Sequence, residues 1–250
     1  MTDGSRALVI RGVSKTFGGL AAVQDVDLTL APGRVTALIG PNGAGKTTLF
    51  NLVTGHLRPD RGEVRLGDGL LSGRTPFRIA RLGIARSFQD LQLFDSLSVL
   101  DNVLAAPERS SWFWQPGGGA SRRARREAAL SALERTGLTG LAATPARDLA
   151  YAERKFLSLA RVIGQDAPIW LLDEPASGLD PVSRRRFVAL LRQAAQGGTT
   201  ICLVEHSLDI VVELADRIVF LDGGRKLAEG EPGAILSDPA LADIYFGTRR

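Results

Sequence analysis

The sequence predicts an α/β fold: a mostly parallel sheet with helices between its strands and a helical insertion in the middle. Short apolar runs rich in β-formers recur along the chain, with helix-patterned stretches between them. From about Thr75 to Gly164 the character turns helical. Leu8-Val9-Ile10-Arg11 and Val26-Asp27-Leu28-Thr29-Leu30 read as short strands, and Pro32-Gly33 is a turn signal. Val35-Thr36-Ala37-Leu38-Ile39 suits a buried strand; it ends in a glycine-rich stretch and leads into a helical one, Lys46 to Thr54. Arg122 to Thr136 is rich in Ala, Leu, Arg and Glu, with Gly137 as its stop. Ile169-Trp170-Leu171-Leu172 and Thr200-Ile201-Cys202-Leu203-Val204 are further buried strands, and Ser183 to Ala195 is a helix between them. Arg217 to Leu221, Asp222-Gly223 and Arg225 to Ala228 read as a β-hairpin.

Composition narrows the class. At 250 residues, 44% hydrophobic and 23% charged, the chain has enough apolar material for a real core, which argues against disorder. Cys202 is the only cysteine, so a disulfide scaffold is excluded. No run approaches the roughly 18 apolar residues of a bilayer-spanning helix. Met1 to Arg6 lacks the apolar region of a secretion signal, and a soluble cytoplasmic chain is the expectation. The net charge is +4, with lysine at only four positions: 15, 46, 155 and 226. The densest basic run, Arg122-Arg123-Ala124-Arg125-Arg126, reads as the solvated start of a helix. No nucleic acid partner is expected, since neither an aromatic-rich RNA motif nor zinc spacing accompanies the run. Residues 107–121 are expected to be irregular. Their Trp112-Phe113-Trp114 forms either an exposed partner contact or aromatics folded onto the helical insertion.

Two motifs carry the chemistry. Gly40-Pro41-Asn42-Gly43-Ala44-Gly45-Lys46-Thr47 satisfies G-x-x-x-x-G-K-[ST], between a predicted strand and a predicted helix. The glycines let backbone N–H groups turn inward around phosphate oxygens, and the helix N-terminus adds about half a positive charge. Lys46 would neutralise β and γ phosphates, and the Thr47 hydroxyl suits Mg²⁺, with Thr48 beside it. Ile169 to Leu172 then delivers Asp173 and Glu174 to a strand's carboxyl end. Asp173 suits the magnesium role and Glu174 that of a base polarising the attacking water.

With these motifs in place the chain resembles the ATP-binding subunit of an ABC transporter along nearly its whole length. The resemblance implies one cassette over residues 7–247. Its core is RecA-like, of the P-loop NTPase kind, with an antiparallel β subdomain and a helical subdomain at about residues 90–163. It implies ATP and Mg²⁺ as cofactors. Ser177-Gly178-Leu179-Asp180 resembles the D-loop, His206 the switch histidine that contacts the γ-phosphate, and Gln89 the Q-loop glutamine of the magnesium site. Phe17 resembles the aromatic that stacks on adenine. Gly12 to Val23, Gly83 to Gln89 and the tail from Ala228 to Gly247 are similar to the larger ATPase subunit of branched-chain amino acid importers. Importers of amides, urea or other amino acids share these features. The implied partners are a second ABC ATPase subunit, in a hetero- or homodimer, transmembrane permease subunits and, indirectly, a solute-binding protein. The implied place is the cytoplasmic face of the membrane, peripherally bound. A soluble ABC ATPase of DNA repair or translation is a rival, disfavoured by the single cassette. A poorly hydrolysing regulatory subunit is another.

One motif departs from the family. Where the signature reads Leu-Ser-Gly-Gly-Gln, this chain has Leu149-Ala150-Tyr151-Ala152-Glu153. The resemblance implies that the serine hydroxyl donates to the γ-phosphate held by the opposite subunit. A hydrogen bond to a charged group is worth about 1.5–3 kcal/mol, or roughly 10–100-fold. Ala152 also places a Cβ where the family's glycine lets the backbone approach phosphate. In a heterodimer the resulting expectation is two unequal sites, one with this chain's complete phosphate-binding half and one with its altered signature.

Overall fold

The computed structural model describes residues 7–106 and 118–246. Strands β1 (Leu8–Phe17), β2 (Leu20–Leu30), β4 (Arg61–Leu66) and β5 (Gly69–Leu70) form an antiparallel sheet in the order β2-β1-β4-β5. Its register explains its one-sided core. Ile10 pairs with Leu28 and with Val64, and all three are buried, whereas the next residue, Arg11, is exposed.

The second sheet holds β3 (Val35–Ile39), β6 (Ile84–Arg86), β7 (Ile169–Asp173), β8 (Thr200–Val204), β9 (Arg217–Asp222) and β10 (Arg225–Gly230). Its order is β10-β9-β3-β8-β7-β6, parallel except for the antiparallel edge strand β10. Every residue of β3, β7 and β8 is buried, as expected for strands covered on both faces. Alternation splits them between two cores. Ile169 and Leu171 face a cluster shared with the antiparallel sheet, while Trp170 and Leu172 face the helices.

Helix α1 (Lys46–Val53) follows β3, and α2 (Pro76–Arg81) precedes β6. The insertion consists of α3 (Val99–Leu104), α4 (Gly118–Thr136) and α5 (Tyr151–Ile163), packed through Val99, Leu133 and Leu157, all fully buried. Helices α6 (Pro181–Gln196), α7 (Leu208–Leu214), α8 (Pro232–Leu236) and α9 (Pro239–Phe246) complete the fold. Phe220, in the middle of β9, is 1% exposed and meets the Tyr245 ring edge-on. Phe220→Ala should lower stability by about 3–5 kcal/mol, read as a shift in the urea unfolding midpoint.

The strands read from the apolar runs are present, and three details differ. The stretch from Thr75 to Gly164 is interrupted by β6, a three-residue edge strand paired with β7. Within 107–121, the last residues, Gly118 onward, already belong to α4; Trp112-Phe113-Trp114 lies outside the described residues. The hairpin turn is Gly223-Gly224, both at positive φ (50° and 78°), with Asp222 paired to Arg225. Gly137 does end α4, at φ 69°, where a Cβ would run into the Arg186 guanidinium.

Candidate functional site

Because β3, β7 and β8 run parallel and in register, their carboxyl ends open at one edge. Leu38 and Asp173 both pair with Val204, so the segments starting at Gly40, Glu174 and Glu205 converge there. The loop from Gly40 to Gly45 is tightly wrapped. A Cβ on Gly40, at φ 146°, would strike the Leu221 carbonyl oxygen, and one on Gly45, at φ 99°, that of Ala22. The β9–β10 turn braces the loop from behind, since the Gly224 amide donates to Ala44 at 3.1 Å. Pro41 is half-buried, whereas Asn42 and Gly43 are exposed at its rim.

Lys46 is 7% exposed, and its ammonium donates to the carbonyl oxygens of Gly40 (2.7 Å) and Pro41 (2.9 Å). Burial lowers its pKa, while the Glu174 and Asp173 charges oppose the shift. Thr47 is exposed, and its hydroxyl neighbours the Asp173 carboxyl and favours its charged form; Thr48 is half-buried.

Asp173 is 2% exposed, and burial pushes its carboxyl pKa up against the pull of Arg86. Its Oδ2 lies 3.8 Å from Arg86 Nη2, and its Oδ1 is buried with no hydrogen-bond partner among the described residues. A dehydrated carboxylate with a free oxygen beside a threonine hydroxyl is a hard-oxygen donor pair, and these residues fit a divalent cation such as Mg²⁺.

Glu174 sits at φ +46°, a left-handed conformation that is rare for a non-glycine residue and marks functional sites. Its backbone N–H donates to Val204 at 2.9 Å. Its carboxylate is held at both oxygens: Gln89 Nε2 donates to Oε2 at 3.2 Å, and His206 Nε2 lies 3.0 Å from Oε1. The structure thus brings Lys46, Thr47, Gln89, Asp173, Glu174 and His206 together at one strand edge.

The other singled-out residues surround this group. Phe17 is 45% exposed, at the β1–β2 hairpin end, where Thr16 pairs with Ala21 next to the Ala22 carbonyl that packs on Gly45. Leu149 is buried, and Ala150 is the N-cap of α5 with no side-chain oxygen to offer. Glu153 accepts from the Ala150 N–H at 2.8 Å, and Ala152 is half-buried. Tyr151 Oη donates to the Ser177 carbonyl at 3.2 Å, and the ring lies over Gly178. Leu179 is half-buried, and Asp180 caps α6 by accepting from Val182 and Ser183.

Four residues here escaped the sequence reading. Arg86 donates to Asn51 (2.7 Å) and Thr54 (2.9 Å) and stacks its guanidinium over Phe88 at 4.6 Å. Lys155, 4% exposed, donates to the Glu174 carbonyl at 3.0 Å. Glu205, 2% exposed, accepts from the Ala176 N–H at 3.1 Å. Tyr245 donates to the His206 carbonyl at 2.7 Å. Each owes its place to partners distant in sequence, although a glutamate directly after a buried strand and beside His206 was a usable signal for Glu205. Cys202 is fully buried and its thiol is pushed up to about 12, so it is an inert core residue.

The fold and this strand-edge constellation define a P-loop ATPase cassette. The ABC transporter family model matches residues 23–177. The high-affinity branched-chain amino acid transport ATP-binding protein LivG of Escherichia coli K12 is 38% identical, over 96% of this chain and 97% of its own length. BraF of Pseudomonas aeruginosa, described in the same words, is 36% identical with the same coverage. A crystal structure of the ADP conformation of an ATP-binding cassette of an ABC transporter superposes with a TM-score of 0.85 at 29% identity, covering 97% of this chain and 99% of the other. This chain belongs to the ABC transporter family, as an ATP-binding cassette homologous to ATP-hydrolysing members. Among the described residues no helix is long and apolar enough to cross a membrane.

Proposed function

We propose that this chain is the ATP-hydrolysing subunit of an importer of branched-chain or closely related amino acids. The observation that carries the hydrolytic half is Glu174, clamped between Gln89 and His206 beside Lys46 and Asp173. The names of the relatives, at 38% and 36% identity over nearly the whole chain, support the solute class.

In this reading the backbone from Gly40 to Gly45, with Lys46, Thr47 and Thr48, holds the ATP phosphates, and Phe17 offers a face for adenine. Asp173, Thr47 and Gln89 would hold Mg²⁺, which when bound would offset phosphate charge. Glu174 takes the proton of the attacking water, the step for which a positioned base contributes about 10²–10⁴-fold. His206 fixes one oxygen of that carboxylate and Gln89 the other, so the remaining lone pairs point in a set direction. On ATP binding, Lys46 exchanges the Gly40 and Pro41 carbonyls for phosphate oxygens, trading neutral acceptors for charged ones. The cassette works peripherally at the cytoplasmic face of a membrane, with a second ATPase subunit, permease subunits and a solute-binding protein. Removing the chain from its host should abolish uptake of labelled leucine and valine. Intact leucine uptake with lost urea or amide uptake would move the assignment to those solutes.

The altered signature favours a further reading, an asymmetric heterodimer. Ala150 leaves α5 without a side-chain cap, and Glu153 satisfies only the Ala150 amide. The site built on the partner's phosphate loop and Leu149 to Glu153 is then the weaker one. Restoring the family pattern with Ala150→Ser and Ala152→Gly should raise turnover of the assembled transporter, by up to roughly 10–100-fold. Replacing the hydrolytic glutamate of each subunit in turn should slow turnover unequally, and equal losses would contradict the asymmetry.

A further inference from the structure

Two of the four lysines in this arginine-rich chain are buried at the site, Lys46 and Lys155, and the chemistry above uses only the first. Lys155 lies one turn into α5. Its ammonium crosses to the end of β7 and donates at 3.0 Å to the backbone carbonyl of Glu174, the residue held at φ +46°. At the start of the same helix, Tyr151 Oη donates to the Ser177 carbonyl and its ring lies over Gly178. Helix α5 therefore grips the segment 174–178 at both ends. The buried Glu205 carboxylate accepts from the Ala176 N–H in the middle of that segment. A non-glycine residue in the left-handed region is strained and persists only where its surroundings over-determine it. Lys155 supplies a charge-assisted bond to that residue's own carbonyl, from a site where burial lowers the ammonium pKa and the Glu205, Glu174 and Asp173 charges hold it up.

We propose that Lys155 is a positioning residue for hydrolysis, fixing the left-handed backbone of Glu174 so that its carboxylate meets Gln89 and His206. The inference rests on the assignment of Glu174 as the base. It also distinguishes two roles for a buried cation, since Lys155 could instead serve only to neutralise Glu205.

The test uses the full chain in its native assembly, with binding of a fluorescent ATP analogue and steady-state turnover measured side by side. Lys155→Met keeps the aliphatic stem and removes the donor. It should leave ATP affinity within about twofold and lower kcat about 10-fold or more. Lys155→Arg, which keeps a donor, should retain more turnover than Lys155→Met. The double variant Lys155→Met/Glu205→Gln removes both buried charges and guards against misfolding from an unpaired carboxylate. It should regain thermal stability and still turn over slowly. Wild-type kcat in Lys155→Met, or recovery of wild-type kcat in the double variant, would overturn the proposal. Undiminished turnover in Glu174→Gln would instead remove the assignment on which it rests.

Discussion

Glu174→Gln should reduce ATP turnover by about 10²–10⁴-fold while leaving ATP affinity nearly unchanged. The size follows from the work the carboxylate does. An amide has the same shape and can keep one contact each with Gln89 and His206, which now lie 3.2 and 3.0 Å from its oxygens. It cannot accept a proton from water. In the proposed reading, substrate binding depends on the Gly40 to Gly45 backbone and on Lys46, which the change does not touch. Binding and chemistry therefore separate: a fluorescent ATP analogue should titrate alike in both proteins, whereas phosphate release should collapse in the variant.

Lys46→Ala should act on the other half of that division, weakening ATP binding by about 10–100-fold, as expected for losing charge-assisted hydrogen bonds to phosphate. The empty cradle also changes, because the ammonium that bonds to Gly40 and Pro41 carbonyls is gone. Those carbonyls lie next to exposed Asn42 and Gly43, so water can replace the lysine. The folded state should therefore lose little stability. Titration of the analogue against Lys46→Ala checks the affinity, and an unchanged dissociation constant would mean that the loop does not carry the phosphates. The two variants together should show affinity lost with Lys46 and rate lost with Glu174.

Much of this site is legible in the sequence, because its chemistry is written in local spacing. The Gly40 to Thr47 loop follows an all-buried strand and the Asp173-Glu174 pair closes another, and short apolar runs announce such strands plainly. The parallel sheet followed from the same runs. What escaped was set by long-range contacts. β6 is only Ile84-Ala85-Arg86, three residues paired to one neighbour, too short to show any periodicity. β4 reads Arg61-Gly62-Glu63-Val64-Arg65-Leu66, where only every second residue late in the strand is buried. Arg86, Lys155 and Glu205 look in sequence like ordinary surface charges. Burial makes them part of the site, and their partners Asp173, Glu174 and Ala176 lie 19 to 87 positions away. The altered signature was visible from the start. Its structural consequence, an α5 start whose Ala150 amide is met by Glu153 from within the same helix, needed the fold.

In the proposed reading Glu174, placed among Lys46, Gln89, Asp173 and His206, is the base that drives ATP hydrolysis. A single-turnover chase tests it most directly: labelled ATP is loaded onto the full chain in its native assembly, Mg²⁺ is added, and the bound nucleotide is identified over time. The wild type should convert bound ATP to ADP only after Mg²⁺ is supplied, and Glu174→Gln should retain ATP for at least about 100 times as long. Conversion at equal rates in the two proteins would contradict the account.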